Sequence, residues 1–163
     1  ERYNIPLDES PRRCINQIEN WKKDREKYMH DDVTHTRTTE YASYIMEAIV
    51  TDIPYKIGGN VINNGLIPNL PAEACVEVAC LVNKNGIQPC AQKPLPLQLA
   101  AMNSAMIGVQ LLTIEAAVTQ KKETIYQAAM LDPHTSSELS IDEIIRLCDD
   151  LIEAHGSYLP KYH

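Results

Sequence analysis

The sequence predicts an α+β domain, mostly helical with a small antiparallel sheet, and three observations carry that reading. Helical periodicity marks both ends of the chain. The central stretch from Asn60 to Gln88 is rich in branched residues and turn signals. The order is helices, then strands, then helices, not regular β-α alternation. With no Phe and one Trp among 163 residues, the core must be built from Leu, Ile, Val, Ala and Met.

Each element has a local reason. Pro6 and Pro11 bracket an irregular lead-in, and Ser10 caps a helix with Pro11 at its first position, where a missing N–H costs nothing. Ile15, Ile18 and Trp21 then recur at helical spacing until the pattern fades between Met29 and Asp32. A second helix is expected from about Thr38 to Thr51, on the apolar stripe Tyr41, Tyr44, Ile45, Ala48 and Ile49. A strand begins at Pro54-Tyr55-Lys56-Ile57, and Gly58-Gly59 is expected to end or bulge it. Val61-Ile62 leads into Asn63-Asn64-Gly65, a turn signal because Asn and Gly tolerate positive φ. Cys75 to Val82 reads as a strand, Asn83-Lys84-Asn85-Gly86 turns it, and Ile87-Gln88 begins the return.

After the linker prolines Pro89, Pro94 and Pro96, a long helix runs from Leu95 or Pro96 to about Gln120. Lys122 to Leu131 forms another, which Asp132-Pro133-His134 breaks. Ser140-Ile141-Asp142-Glu143 is a capping box that opens the last helix, and Gly156 and Pro160 end it.

Composition narrows the function classes. Fifteen basic against 22 acidic residues give a net charge of −7, so a nucleic-acid partner is not expected. Five scattered cysteines do not form a secreted disulfide framework, and a reducing cytoplasm is the expected compartment. Cys75, Cys80 and Cys90 match no common zinc spacing. The stretch Leu95 to Thr119 is long enough to span a membrane, with Glu115 its only charge. Gln98, Asn103, Ser104, Gln110 and Thr113 interrupt it, which fits a helix shared with another domain or subunit better than a membrane span. The chain contains no G-x-G-x-x-G, G-x-S-x-G or H-E-x-x-H motif. No complete active site is expected here, so no catalytic residue and no metal ligand is assigned.

Two polar segments stand out. Thr34-His35-Thr36-Arg37-Thr38-Thr39-Glu40-Tyr41 sets one Arg and one Glu among five hydroxyl residues. Read locally, it is a helix start, capped by Thr36 or Thr38 with Glu40 complementing the dipole. Read functionally, Arg37 offers bidentate hydrogen bonds to a hydroxylated or anionic ligand. The second segment, Asn60 to Pro71, holds four asparagines within ten residues, Asn60 to Asn69. They bend the backbone or bind something, since amides suit sugar hydroxyls and carboxamides alike.

Read on through the strand, Gly59-Asn60-Val61-Ile62-Asn63-Asn64-Gly65-Leu66-Ile67-Pro68-Asn69-Leu70-Pro71 followed by Val76-Glu77-Val78 resembles the N-x-G-x-I-x-N-L-P…V-E-V-P signature of glycoside hydrolase family four. Arg37-Thr38-Thr39-Glu40-Tyr41-Ala42-Ser43-Tyr44-Ile45 and the stretch from Asp132-Pro133-His134-Thr135 to Ile144 are also similar to that family, most closely to its α-galactosidase (melibiase) branch. Ala79 departs from the pattern, where a proline usually follows V-E-V.

The resemblance implies a fold like the C-terminal domain of lactate and malate dehydrogenases. It implies a glycosidase that uses NAD and a divalent metal, typically manganese. In that scheme the sugar is oxidised at C3, a proton leaves C2, the glycosidic oxygen is eliminated, water adds, and the ketone is reduced. Such enzymes are exceptions to the two-carboxylate scheme of ordinary glycosidases.

It further implies that the dinucleotide-binding domain, the metal-binding Cys and His and the catalytic Tyr belong upstream of Glu1. Residues 1–163 are then one C-terminal substrate and oligomerisation domain, inactive alone, and the long uncharged helix is a surface for oligomerisation or domain contact. The chain opens on Glu1 without an initiator Met, which is read as processing or a cut. Arg37 and the Asn63-Asn64-Gly65 turn, with Asn63 and Asn64 as the substrate-binding side chains, are the positions expected to face the sugar or the nicotinamide; the sugar is galactose, glucose, a uronic acid or a phosphorylated form. The alternative is a non-catalytic module, binding small molecules or partner proteins, that keeps the fold without the chemistry.

Overall fold

A computed structural model describes residues 6, 8–31 and 36–163. The chain divides into two compact units, Glu1–Glu40 and Tyr41–His163. Within the first, α1 spans Glu9–His30, with Asp8 at its N-cap and no buried residue. Arg12 bridges Asp8 at 3.1 Å and Glu9 at 3.2 Å, tying down the first turn. The helix therefore starts just before the expected Ser10, and Pro11 sits in the first turn, where its missing N–H is harmless.

The second unit opens with α2, Ala42–Thr51, which starts later than its hydroxyl-rich approach implied. Tyr41 is the N-cap, no side chain caps the helix and no acidic residue lies in its first turn. Neither Thr36 nor Thr38 thus serves as the helix cap; Thr38 Oγ1 instead accepts from the Glu40 N–H at 3.3 Å. Thr34 and His35, the start of that segment, lie outside the described residues.

Three strands follow: β1 Tyr55–Ile62, β2 Cys75–Asn83 and β3 Gly86–Pro89, antiparallel in the order β1-β2-β3. Strand β1 runs unbroken through Gly58-Gly59, paired from Tyr55↔Val82 to Ile62↔Cys75. The two glycines neither end nor bulge it. They make room instead: a β-carbon on Gly58 would stand 2.9 Å from Glu77 Oε1, and one on Gly59 2.8 Å from Cys80 Sγ. Strand β2 alternates strictly, with Val76, Val78, Cys80 and Val82 buried and Cys75, Glu77, Ala79 and Leu81 exposed. Ala79 lies mid-strand, so the departure from the proline pattern falls inside β2 and not at its end.

Helix α2 lies on this sheet, with Ala48 buried and the Tyr44 ring stacked on Tyr55 at 5.2 Å. Helix α3, Leu97–Thr119, contributes Ala100 and Ile107 to a core shared with Val76, Val78 and Cys80 and with Ile67, Leu70 and Ala74 of the β1–β2 loop. A second packing centre unites α4, Lys122–Leu131, with α6, Ile141–His155, through Ala128, Ile144 and Cys148. Burying a side chain such as Ile144 contributes ~1.5–3 kcal/mol. Between them, Asp132-Pro133 does more than break α4. Asp132 caps a short helix α5, Pro133–Glu138, accepting from the Thr135 N–H at 2.7 Å with Pro133 in its first turn. Ser140 and Glu143 form the predicted capping box of α6.

Candidate functional site

The asparagine-rich loop is built around Asn63. Its N–H donates to the Ala74 carbonyl at 2.8 Å, and its own carbonyl accepts from the Leu66 N–H at 2.7 Å. That last bond closes a turn over Asn64 and Gly65, whose φ angles are 40° and 85°. A residue with a branched side chain would be strained at either position. The Asn63 side chain has no solvent-exposed surface. Its amide group donates toward the carbonyls of Ile67, Leu70 and Pro71, each at 3.0 Å, and its oxygen accepts from the Ile67 N–H at 2.7 Å. One amide thus satisfies four main-chain groups of a loop with no regular structure.

Asn69 does comparable work further along. Its amide donates to the Leu95 carbonyl at 2.8 Å and its oxygen accepts from the Leu95 N–H at 2.9 Å, clamping the loop to the approach of α3. Asn64 and Asn60, by contrast, have exposed side chains. Composition alone could not separate these roles; two of the four asparagines hold backbone and two face solvent.

Beside the loop, the outer face of the sheet floors an open cleft of ≈ 910 Å³, lined among others by Lys56, Gly58, Glu77, Gln92 and Lys93. The Glu77 carboxylate can lie over β1 only because Gly58 has no side chain. The Gln92 N–H donates to the Leu66 carbonyl at 2.7 Å, joining the cleft wall to the turn. Lys56, Glu77 and Lys93 were not singled out by sequence; the glycine pair beneath a V-E-V strand was the signal available.

Of the expected ligand-facing positions, Asn63 and Asn64 share one turn, the first enclosed and the second exposed. Arg37 lies in the other compact unit, exposed, in the non-helical stretch Thr36–Thr38. Among the described residues, no group of three or more His, Cys, Asp or Glu side chains is placed to hold a metal ion. The metal that the resemblance implies therefore finds no ligand set among these residues, and no chemical step is routed through it here.

A charged cluster lies away from this cleft, on α4 and α6. Lys122 Nζ meets Asp149 Oδ1 at 2.7 Å, and the Tyr126 hydroxyl donates to the same oxygen at 2.6 Å. Hydrogen bonds from Lys122 and Tyr126 hold the Asp149 carboxyl below its usual range, while the Asp149 partner raises both Lys122 and Tyr126. Asp149 is thus a tie between two helices and not merely a solvated carboxylate.

Among the described residues, Tyr41–His163 thus fold as a three-stranded antiparallel sheet with five α-helices, and Asn63 braces the turn between β1 and β2. Solved glucosidases share this mostly helical fold with a small antiparallel sheet. The chain belongs to the family 4 glycosyl hydrolases; residues 1–135 match the model of the family's C-terminal domain. It is 58% identical over 159 residues to the alpha-galactosidase of Bacillus subtilis (strain 168), covering 97% of this chain and 37% of that protein.

Two solved structures share the fold. One is the 6-phospho-beta glucosidase from Thermotoga maritima, at a TM-score of 0.75 and 22% identity, covering 93% of this chain and 37% of that one. The other is a 6-phospho-alpha-glucosidase from gut microorganisms, solved in complex with NAD and Mn2+, at a TM-score of 0.71 and 18% identity, covering 85% of this chain and 32% of that one. The chain thus spans about a third of the length of these relatives.

Proposed function

We propose that this chain is the C-terminal, substrate-side domain of an α-galactosidase that works with NAD and a divalent metal. The observation that carries the proposal is the 58% identity to the Bacillus subtilis alpha-galactosidase, which extends over 97% of the chain. The structure of a family relative in complex with NAD and Mn2+ supports the cofactor pair. An upstream dinucleotide-binding domain supplies the NAD site and the metal ligands, and residues 1–163 act as one substrate and oligomerisation domain that is inactive alone.

Within this domain, Arg37 and the exposed amide of Asn64 meet the sugar, where a guanidinium and a carboxamide match hydroxyl groups. Asn63 acts at the same turn by holding its main chain in place, because its own amide is occupied by four loop groups. Five free cysteines, two of them buried, support a reducing cytoplasmic location. The long, nearly uncharged α3 supports a homo-oligomer.

The test is hydrolysis of a chromogenic α-galactoside by the full-length protein. Activity is expected only when NAD and Mn2+ are both present; activity that survives chelation and NAD removal overturns the reading. A parent protein with no dinucleotide-binding segment would return the chain to a non-catalytic module.

A further inference from the structure

We infer that Asn64 is a site of self-modification, at which the main-chain nitrogen of Gly65 attacks the side-chain amide and the turn ages from a carboxamide to a carboxylate. Asparagine followed by glycine is the pair that hinders this reaction least, because glycine sets no β-carbon beside the attacking nitrogen. The chain holds two such pairs, Asn64-Gly65 and Asn85-Gly86, both at turns. Only the first is built to react.

The two settings differ in which peptide group can rotate. Asn64 and Gly65 are the central residues of the turn that the Leu66 N–H closes on the Asn63 carbonyl at 2.7 Å, with φ of 40° and 85°. Positive φ at both is the type I′ form. The peptide group between them, the Asn64 carbonyl with the Gly65 N–H, enters no hydrogen bond among the described residues. The bonds that anchor the turn lie on either side of it, from Leu66 N–H to Asn63 and from Asn64 N–H to the Ala72 carbonyl at 3.0 Å. The central group can therefore rotate to the type II′ form while both anchors hold.

That rotation carries ψ of Asn64 to about −120°. A five-membered ring closed from the side-chain carbonyl carbon onto the next main-chain nitrogen requires a ψ of that size. Gly65 accepts the negative φ it is left with, since glycine populates both signs. Both residues are exposed, and a β-carbon on Gly65 would meet nothing within 4 Å, so the ring has room to form.

Asn85 has none of this freedom. Gly86 is the first residue of β3 and the ladder partner of Asn83, and the Asn85 N–H donates to Asn83 Oδ1 at 2.9 Å. Asn85 also lacks the positive φ of Asn64. From a negative φ, a ψ of about −120° falls outside the allowed regions. Reaction at this pair must first open the hairpin.

The step needs no reagent but water. The Gly65 nitrogen bonds to Asn64 Cγ, the Cγ–Nδ2 bond breaks, and the proton of that nitrogen leaves with the amide as ammonia. Water then opens the cyclic imide at either carbonyl. One opening gives an aspartate; the other routes the main chain through the side-chain carbon and gives an isoaspartate. No electrons are exchanged. Either product sets a carboxylate where the proposed function sets a carboxamide against the sugar. The effect on activity rests on that reading, and the modification itself does not.

The test is peptide mass mapping of the full-length protein held in mildly alkaline buffer, which favours loss of the proton from nitrogen. Lys84 lies between the two pairs, so tryptic peptides report each one separately. In the native protein the Asn64 peptide is expected to gain the mass of an amide-to-acid change, part of it as isoaspartate. Its rate should exceed that of the Asn85 peptide at least ~3-fold, the worth of a ladder hydrogen bond that need not open. In the urea-unfolded protein the two rates should converge.

No gain at Asn64 in the native protein overturns the inference, as does an Asn85 rate equal to or above it. A rate ratio that unfolding leaves unchanged overturns it too. Excess galactose should slow the gain at Asn64 and leave Asn85 alone. A gain that galactose does not slow leaves the modification standing and counts against the sugar contact.

Discussion

The sulfur of Cys80 lies 2.8 Å from the point where a β-carbon on Gly59 would stand. Cys80 has no exposed surface and faces the core from β2, diagonally across from Gly59 on β1. The neighbouring glycine has the opposite surroundings, since only the carboxylate end of Glu77 on the outer face would meet a β-carbon on Gly58.

The two glycines should therefore respond differently to alanine. Gly59→Ala overfills a closed core and should cost ~1–3 kcal/mol. Gly58→Ala needs only a swing of the flexible Glu77 tip and should be nearly neutral. Combining Gly59→Ala with Cys80→Ala should cost less than the sum of the two singles, a coupling of ~0.5–3 kcal/mol. Denaturant titration of the four variants checks this, and additive costs would contradict it.

Asn63 should be the least replaceable side chain of the loop. Asn63→Ala strands the carbonyls of Ile67, Leu70 and Pro71 and should cost ~2–4 kcal/mol. Asn63→Asp should be worse than alanine near neutral pH, because it aims a carboxylate at three carbonyl oxygens and removes both donor hydrogens. Thermal melts of the two variants rank them directly.

The α4–α6 tie predicts a pH signature. Asp149 titrates lower in the folded state than in the unfolded chain. Its contribution is therefore present above the unfolded carboxylate value of ~3.9 and is lost as pH falls through the lower folded value. Lys122 and Tyr126 titrate higher when folded. The Lys122 contribution is present below its unfolded value of ~10.4 and fades as pH rises through the folded one. Tyr126 acts in the same alkaline window, because folding disfavours its phenolate. The melting temperature of wild type minus that of Asp149→Asn should therefore be positive at neutral pH and shrink toward both the acid and the alkaline limits. All three groups reach solvent, so the difference should be small and weaken in salt.

In the full-length protein, Arg37→Ala should lower kcat/KM for an α-galactoside by ~10–100-fold, the worth of charge-assisted hydrogen bonds. Asn64→Ala should lower it less, and neither should change the melting temperature greatly, since both side chains are exposed. Unchanged kinetics for Arg37→Ala would leave that residue without a ligand role.

Much of this architecture can be read from local chemistry. The Asn63-Asn64-Gly65 turn, the alternating β2 and the Ser140–Glu143 capping box follow from φ preference, branching and cap geometry, all properties of a few adjacent residues. The failures share a cause. Gly58-Gly59 looks like a strand end until Cys80 and Glu77 approach from opposite faces. Thr36 and Thr38 look like helix caps, although the chain turns helical only at Ala42. Asn63 and Asn64 are the same residue type, and only three-dimensional enclosure separates the amide that holds the loop from the one left exposed. Lys122, Tyr126 and Asp149 become one cluster only when α4 and α6 pack.

On the proposed function, this domain serves a glycosidase that reaches hydrolysis through a sugar ketone, which requires loss of the proton at C2. The most direct measurement is deuterium content at C2 of galactose released from an α-galactoside in heavy water by the full-length protein with NAD and Mn2+. Deuterium at that carbon in the released sugar is the expected result; galactose carrying only hydrogen at C2 would contradict the ketone route.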